Sequence, residues 1–378
     1  MNYFTPMKLF KLYIISICFF SCNYNKVKKN DISLEPDPKN YSLEIVVDSI
    51  SVPWGMCWLP DGSMLITEIN GELIHFKDGK KIKIKNVPDI YRIGQGGLLD
   101  IELHPNYKSN GWLYITYSSS EGEGKGGNTT LIRAKFQKGE LTNIEKLYKG
   151  NENTEEAVHF GSRIEFDKKG FLYFSIGDRG ERNKNPQNIY RDGGKIYRLN
   201  DDGTIPSDNP LVKDKEAKHG IYSYGHRNPQ GMVLNPITEE IWVHEHGPKG
   251  GDEINILKKG ANYGWPVITF GISYRGFPIS FYNEMEGMEQ PVYYWLPSIA
   301  PSGMEFVTSN RYPNWKNHIL LGSLKFGYLE LLKLSNNKVT NRTKLLEKIG
   351  RVRNIRQGPD GYLYVAIEQK GIFKIIPN

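Results

Sequence analysis

The chain has 378 residues, which is enough for one large core or for two ordinary domains. An aromatic content of 12% and 39 glycines favour strands joined by tight turns over long amphipathic helices. The formal net charge of +7 is mild and its bases are scattered, so composition argues against a nucleic-acid-binding patch.

The N-terminus has the features of an export signal. Lys8 and Lys11 supply positive charge, and the apolar run 9–20 is too short to span a bilayer as a helix. Because the run ends in a small residue followed by Cys22, the pattern is typical of a bacterial lipoprotein signal. We therefore expect export and membrane attachment through lipid on Cys22; the alternative is an ordinary secretory signal in which Cys22 is incidental.

The rest of the chain is predicted to form one domain after a polar tether. Residues 1–21 are assigned to the signal peptide, 22–40 to the lipidated cysteine and tether, and 41–378 to the folded domain. Cys57 is the one cysteine that remains after processing and lipidation, so the mature protein has no intrachain disulfide to stabilise it.

One pattern occurs six times: a turn rich in Pro, Asp, Asn or Gly, then an apolar and aromatic strand, then polar residues. The six copies are 59–68, 110–117, 167–178, 235–246, 317–325 and 359–368.

Repeats of this kind predict an all-β fold, a six-bladed β-propeller of four-stranded antiparallel sheets. A single sheet cannot bury both faces alone, whereas radially packed sheets cover their neighbours. The strand at 42–47 is expected to pair with one near 372–375 and close the ring. A β-sandwich or two stacked β domains are the alternatives, but the repeat is regular and no linker divides the chain.

Several polar residues stand at equivalent positions just after the apolar run of a repeat. They are Asp178, His246, Lys325 and Glu368. Because equivalent ends of radially arranged sheets meet on one face, these side chains are expected near one mouth of the ring, where ligands bind in closed β architectures.

Two segments contain candidates for proton transfer and for orienting a carbonyl or carboxylate. His159 precedes the third repeat, which ends in Asp178, and a carboxylate near a histidine fixes its tautomer for general-base work. Arg227 and Asn228 lie in a segment dense in donors. Taken singly, each could instead be structural.

The segment 244–253 is rich in potential oxygen ligands. His244 and His246 suggest zinc at first, but a third nitrogen ligand at useful spacing is missing. Glycine-rich backbone with Asp252 and Glu253 suits Ca²⁺ better. Three further cations, Lys325, Arg351 and Arg353, could join Arg227 around a polyanionic ligand, or could be ordinary surface charge.

These segments resemble the PQQ-dependent soluble glucose dehydrogenase and aldose sugar dehydrogenase family, from about Pro53 to the C-terminus. The motifs that carry the resemblance are Gly94-Gln-Gly-Gly-Leu98, Ser223-Tyr-Gly-His-Arg-Asn-Pro-Gln-Gly231, His246-Gly-Pro248, Gly251-Asp-Glu-Ile-Asn255, Ala261-Asn-Tyr-Gly-Trp-Pro266 and Tyr293-Tyr-Trp-Leu-Pro-Ser-Ile-Ala-Pro-Ser-Gly303.

The resemblance implies an enzyme that oxidises aldoses at the anomeric carbon to lactones, with pyrroloquinoline quinone (PQQ) and Ca²⁺. It implies that His159 is the general base, with Asp178 as its acidic partner and Gln95 beside cofactor and substrate. The residues implied to contact the cofactor are Arg227, Asn228, Lys325, Arg351 and Arg353. The implied Ca²⁺ ligands are the carbonyls of Gly247 and Pro248 at the cofactor, and Asp252, Glu253 and Tyr263 at a second, structural site.

Two other functions are compatible with a propeller of this size. One is a carbohydrate or protein receptor without catalysis, which the histidine and the cations argue against. The other is a Ca²⁺-dependent lactonase, which calls for a metal held by side-chain carboxylates at the central axis. The sequence identifies neither the sugar nor the electron acceptor.

Overall fold

The structure, a computed structural model, describes residues 32–378. The predicted signal peptide, Cys22 and the tether up to residue 31 lie outside the described residues. The described chain is all-β apart from one four-residue helix, α1 (Tyr107–Asn110). Within residues 32–378 we find no helix long and apolar enough to cross a membrane.

The strands form six sheets, each with four antiparallel strands, and the predicted β-propeller is confirmed. The first two strands of the chain are β1 (Ser33–Glu35) and β2 (Tyr41–Asp48). Blade 1 contains β3 (Pro53–Trp58), β4 (Met64–Glu68), β5 (Glu72–Lys77) and β6 (Lys80–Lys83). Blade 2 contains β7 (Leu98–Leu103), β8 (Trp112–Ser119), β9 (Asn128–Gln137) and β10 (Glu140–Lys149). Blade 3 contains β11 (Ile164–Phe166), β12 (Leu172–Ile176), β13 (Lys195–Leu199) and β14 (Ile221–Tyr224).

The second half of the chain builds the other three sheets. Blade 4 contains β15 (Pro229–Leu234), β16 (Ile241–Glu245), β17 (Asp252–Ile256) and β18 (Tyr293–Trp295). Blade 5 contains β19 (Pro301–Phe306), β20 (Ile319–Ser323), β21 (Leu329–Ser335) and β22 (Lys338–Leu345), with β1 added in parallel beside β22. Blade 6 contains β23 (Val352–Gln357), β24 (Leu363–Ile367) and β25 (Gly371–Pro377), with β2 as its outermost strand.

Each of the six sequence repeats contains all or most of the second strand of one blade. These second strands are β4, β8, β12, β16, β20 and β24. All but β8 are buried along their whole length, and β8 is buried from its second residue onward. A strand covered on both faces reads as a continuous apolar run, which is why this strand of each blade is the one visible in the sequence.

The core is divided among the boundaries between blades. Leu65 of blade 1 packs in one cluster with Leu113 of blade 2, and Leu331 of blade 5 packs with Val365 of blade 6. The other four boundaries each have a cluster of the same kind. Burial of apolar side chains between neighbouring sheets therefore stabilises the ring at every junction.

The first strands of the blades form a closed inner ring. Neighbouring pairs contact one another from β3 through β7, β11, β15, β19 and β23 and back to β3. The ring is completed by two distant parts of the chain, because β2 pairs antiparallel with β25 and places Leu43 opposite Ile375. This is the closure expected from the sequence. Strand β1 falls within the segment 22–40 that the sequence assigns to a tether.

Candidate active site

The candidate residues collect at one mouth of the ring because of the direction of the strands. In an antiparallel sheet, the end of the second strand lies beside the beginning of the first. His246, Lys325 and Glu368 follow second strands, and Asn228 and Arg353 stand at the beginning of first strands. All five line one cavity of about 720 Å³. The expected convergence is thus confirmed for His246, Lys325 and Glu368, whereas Asp178, predicted together with them, does not line this cavity.

The cavity walls combine flat apolar surface with polar groups. Trp54, Phe160 and Tyr274 contribute aromatic rings, while Gln95 and Gln230 contribute amides. Such a mixture is typical of a site for a small organic ligand or cofactor.

His159 and Asp178 form a hydrogen-bonded pair next to this cavity: neither residue lines it, but Gln95, which contacts His159, and Phe160, which follows His159 in the chain, both do. The Nδ1 atom of His159 lies 2.6 Å from Oδ1 of Asp178. The backbone N–H of His159 donates to Oε1 of Gln95 at 2.8 Å, which ties the histidine to a cavity-lining residue. The φ of His159 is 55°, in the left-handed region that is strained for a residue with a Cβ. The backbone contact to Gln95 helps to hold this conformation.

The electrostatics of the pair favour a neutral imidazole and an ionised carboxylate. Burial lowers the pKa of His159 below its ordinary 6.5, and Arg227 lowers it further, while Asp178 opposes the change. Burial works against ionisation of Asp178, but His159 and Arg227 outweigh it and lower the pKa of that carboxyl below 3.8. Since Asp178 accepts from Nδ1, the neutral ring presents Nε2 as a proton acceptor.

A tryptophan completes the environment of Asp178. The Nε1–H of Trp265 donates to Oδ2 of Asp178 at 2.8 Å, and the N–H of Gly180 donates to Oδ1 at 2.9 Å. The guanidinium carbon of Arg227 lies 5.4 Å from the centre of the Trp265 ring. Charge and hydrogen bonds together therefore fix the carboxylate in one orientation toward His159.

Arg227 and Asn228 are buried and anchored by main-chain groups. Nη1 of Arg227 donates to the carbonyls of His246 and Gly247 at 2.8 and 2.9 Å. Oδ1 of Asn228 accepts from the N–H of Gly161 at 3.1 Å. Arg227 lies beneath the cavity surface, whereas Asn228 faces the cavity.

The remaining predicted cations, Lys325, Arg351 and Arg353, all line the cavity. Arg353 donates from Nε to Oε1 of Glu368 at 2.9 Å, and Arg351 donates from Nε to Oε2 at 2.6 Å. Lys325 is exposed in the cavity wall, with Nζ 5.0 Å from the centre of the Phe326 ring. With Lys249 added, four cations and one carboxylate face this cavity, so its net charge favours an anion.

The loop after β16 brings backbone oxygens to the same cavity. Pro248 lines the cavity and Gly247 lies next to it. The carbonyl oxygens of Gly250 and Gly251 approach Gly247 so closely that a Cβ at this position would lie 2.4 and 2.2 Å from them. Only glycine permits this crowding of oxygens, which are the ligands that Ca²⁺ prefers.

Asp252 anchors this loop through protein donors. Its Oδ1 accepts from the N–H of Gly247 at 2.8 Å, and its Oδ2 accepts from the N–H groups of Ile299 and Ala300 at 2.7 and 2.8 Å. The hydroxyl of Ser298 lies 2.6 Å from both oxygens. The carboxylate thus connects the loop after β16 with the segment before β19.

The other two residues of the predicted second Ca²⁺ site differ in their contacts. The hydroxyl of Tyr263 donates to the carbonyl of Ile256 at 2.6 Å and accepts from the N–H of Lys258 at 2.9 Å. Burial and nearby Glu245 raise the pKa of Glu253 well above its ordinary value. Among residues 32–378, no group of three or more His, Cys, Asp or Glu side chains is placed to hold a metal ion.

Sequence reasoning missed two parts of this site. Trp265 lies 87 positions from Asp178 in the chain and reaches it through the long connection between β17 and β18. The buried Glu245 accepts from the N–H of Arg227 at 2.5 Å and is 2.9 Å from Nδ1 of His226. The family motifs contained Trp265 and His226, but nothing in their spacing indicated these contacts.

Fold and site together define a six-bladed propeller with a histidine–carboxylate pair next to a cavity lined by cations. The profile of the glucose/sorbosone dehydrogenase family matches residues 50–374. The chain therefore belongs to the glucose/sorbosone dehydrogenase family of oxidoreductases.

Relatives and solved structures agree with this assignment. Aldose sugar dehydrogenase YliI of Escherichia coli is 39% identical over 350 residues, covering 90% of this chain and 94% of its own length. The apo-form crystal structure of the soluble aldose sugar dehydrogenase from Escherichia coli is 37% identical, with a TM-score of 0.85 over 89% of this chain and 100% of that chain. The PQQ-bound form of aldose sugar dehydrogenase from Streptomyces coelicolor is 25% identical, with a TM-score of 0.72 over 90% of this chain and 99% of that chain.

Proposed function

We propose that this chain oxidises aldose sugars at the anomeric carbon to lactones, using bound PQQ and Ca²⁺, with His159 as the general base. The observation that carries the proposal is the His159–Asp178 pair, which is tied through Gln95 to a cavity lined by cations. A proton acceptor and an anion-binding wall are the two features that this reaction needs from the protein.

His159 is positioned to take the proton of the anomeric hydroxyl. The Asp178 contact holds the proton of the neutral ring on Nδ1, so Nε2 has a free lone pair. Removal of that proton allows the hydrogen on the anomeric carbon to leave as hydride, and the sugar becomes a lactone. Ionised Asp178 then stabilises the imidazolium until the proton is released.

The cavity fits a flat polyanion such as PQQ. Lys325, Arg351 and Arg353 lie where they can pair with carboxylates, and Trp54 and Phe160 offer aromatic surface. Asn228 and Gln95 provide amides that can orient the cofactor and the sugar. When bound, the cofactor would supply the hydride acceptor.

The carbonyls of Gly247 and Pro248 are the proposed ligands of the Ca²⁺ beside the cofactor. The crowding of carbonyl oxygens around Gly247 supports this assignment. Such an ion would act as a Lewis acid that polarises an oxygen of the cofactor. Contact with the Arg227 guanidinium reduces the donor strength of the Gly247 carbonyl, so the cofactor itself should contribute much of the affinity for the ion.

A second Ca²⁺ is proposed at Glu253, Asp252 and Tyr263. Its strongest support is Asn255, two residues from Glu253 on β17, whose buried Oδ1 has no hydrogen-bond partner in the described part of the chain. A cation held by Glu253 would satisfy this oxygen. Because the carboxylate of Asp252 and the hydroxyl of Tyr263 are already bonded to protein groups, these two residues would contribute mainly by positioning the strand and the loop around Glu253.

Reconstitution tests the proposed activity. Purified apoprotein receives PQQ and Ca²⁺, and reduction of an indophenol dye is followed with a panel of aldoses. We expect turnover that requires both additions. His159→Ala should bind PQQ with unchanged affinity and lose turnover. Dye reduction that is absent with every aldose, or lactone hydrolysis by PQQ-free protein, would contradict the proposal.

We also propose that the protein is exported and attached to the cell envelope through lipid on Cys22. The charged and apolar pattern of residues 8–22 is the basis for this. Wild-type protein should fractionate with membranes and incorporate labelled palmitate, and Cys22→Ala should do neither. Equal membrane association of both proteins would rule out the anchor.

A further inference from the structure

A second cavity, of about 310 Å³, lies between blades 4 and 5 beside the cofactor cavity; we call it the interblade cavity. Two short chain segments separate the two cavities. Ala300 and Lys325 face the cofactor cavity, while their neighbours Ile299 and Phe326 face the interblade cavity. The N–H of Lys325 donates to the carbonyl of Ile299 at 3.2 Å, so the two segments form one continuous partition.

The interblade cavity has aromatic walls. Trp295 and Tyr328 are buried in its floor, and Phe326 is 46% exposed at its edge. The rings of Phe326 and Tyr328 are nearly parallel, at an interplanar angle of 5°. Flat, apolar surfaces of this kind bind planar aromatic molecules well.

The rim of the interblade cavity is cationic. Arg342, Lys344 and Lys348 line it together with a single carboxylate, Glu347. The buried Nε of Arg342 has no hydrogen-bond partner among the residues that the structure describes. A ligand with electronegative oxygens could use these donors and this positive charge.

Arg342 neutralises the buried carboxylate beneath the rim, so the rim charge that remains available to a ligand is that of Lys344 and Lys348. Glu330 is fully buried and lies 3.3 Å from Nη1 of Arg342. It also accepts from Nε1 of Trp295 at 3.2 Å and from the hydroxyl of Tyr328 at 3.1 Å. Lys344 and Lys348 are left without a carboxylate partner within salt-bridge distance in the described chain.

We propose that the interblade cavity binds a quinone, which accepts the electrons that sugar oxidation delivers to the cofactor. The proposal rests on the proposed function. Oxidation of the sugar delivers two electrons, and two protons must leave with them before the next turnover. A quinone takes up two electrons and two protons and becomes a hydroquinone, so the exchange balances without a further reactant.

The partition provides a short route between the two sites. Lys325 belongs to the cation set of the cofactor cavity, and its Nζ lies 5.0 Å from the centre of the Phe326 ring. Phe326 in turn lines the interblade cavity. A quinone there would therefore be separated from the cofactor by one layer of side chains, while the sugar keeps its own access to the cofactor cavity.

Binding to the apoprotein tests the cavity without PQQ. Anthraquinone sulfonate serves as a planar, anionic probe, and its affinity is measured by calorimetry for the apoprotein, Lys344→Glu and Phe326→Ala. Each variant should weaken binding about fivefold or more, as expected for about 1 kcal/mol of lost interaction. The matched controls are Lys338→Glu, at the exposed start of the same strand, and Tyr190→Ala, which removes an equally exposed ring elsewhere. Absence of probe binding, or equal affinity in variants and controls, would overturn the proposal.

Kinetics of the reconstituted protein test the acceptor role. With a tailless ubiquinone as acceptor, both variants should raise the KM for the quinone at least about fivefold. In Lys344→Glu, the KM for sugar and the rate of cofactor reduction in a single turnover without acceptor should stay unchanged; Phe326→Ala removes the ring beside Lys325 and is therefore judged by the KM for the quinone alone. An unchanged quinone KM in an active enzyme overturns the acceptor role. If probe binding behaves as expected but no aldose reduces the cofactor, the proposed function is wrong. The interblade cavity would then still be a quinone-binding site, but not one that accepts electrons from sugar oxidation.

Discussion

His159 contacts Gln95 and Asp178 directly and Trp265 indirectly through Asp178, and these contacts explain how a strained backbone can be maintained at the site. Gln95 precedes β7 of blade 2, Asp178 follows β12 of blade 3, and Trp265 comes from the connection within blade 4. Asp178 was predicted from its place at the end of a recognisable strand, whereas Gln95 was predicted only through the family resemblance. Trp265 was not, since only the folded course of the loop brings it to Asp178.

Trp265→Phe is predicted to lower kcat about tenfold. The substitution keeps an aromatic ring at this position but removes the indole N–H, which leaves Oδ2 of Asp178 without that hydrogen bond. Hydrogen bonds to charged groups are worth about 1.5–3 kcal/mol, and a looser carboxylate orients His159 less well. Sugar KM and PQQ affinity should change less than about twofold. Trp112→Phe, at the first residue of β8, is the control; equal kcat in both variants would exclude a positioning role.

The pH dependence of kcat/KM is predicted to have its acid limb below pH 6.5. Burial and Arg227 lower the pKa of His159, so the neutral form that accepts a proton persists below that pH and is lost as pH falls further. Asp178 raises this pKa, so Asp178→Asn should move the limb to lower pH while reducing the rate. An acid limb above pH 6.5, or a shift to higher pH in the variant, would contradict the assignment of the base.

At the scale of elements, the sequence revealed the strands that are covered on both faces. The second strand of each blade is an apolar run, whereas β6 is exposed at all four positions and has no such pattern. The first strands of blades were also hard to recognise from the sequence where charged residues that are buried and paired interrupt their apolar pattern. Asp100 of β7 is an example: it accepts from Arg163 at 3.1 Å and from the N–H of Ile164 at 3.0 Å.

Asp100→Ala is predicted to destabilise the protein by about 3–5 kcal/mol. Both partners of the ion pair are buried, with side-chain exposures of 2% for Arg163 and 0% for Asp100. Removal of the acid leaves a buried guanidinium uncompensated, which is the costly way to break such a pair. Urea unfolding measures the loss. Lys77→Ala, which breaks the exposed pair with Asp61, should leave the unfolding midpoint nearly unchanged; similar losses in both variants would contradict this account.

At the scale of the molecule, the sequence predicted ring closure because apolar strands stand at both ends of the domain. The structure confirms the pairing of β2 with β25 and adds β1 to blade 5. Strand β1 could not be predicted, since three mostly polar residues become a strand only beside β22.

Truncation distinguishes the roles of β1 and β2. A chain that begins at Tyr41 keeps the closing strand and should melt within a few degrees of the full domain. A chain that begins at Ser49 loses the buried Tyr41 and Val47 and exposes the edge of β25. Its melting temperature should fall by about 10 °C, since each such side chain is worth about 1.5–3 kcal/mol. Circular dichroism monitors the melting of both chains. Equal melting temperatures would show that ring closure does not depend on β2.

The most direct test of the whole account is a spectroscopic titration of the purified apoprotein with PQQ in the presence of Ca²⁺, followed by addition of an aldose. The account predicts saturation at one PQQ per chain, weaker binding in Lys325→Met and Arg353→Met, and bleaching of the oxidised cofactor by sugar in wild type but not in His159→Ala. A spectrum of PQQ that does not change on mixing with the protein would contradict it.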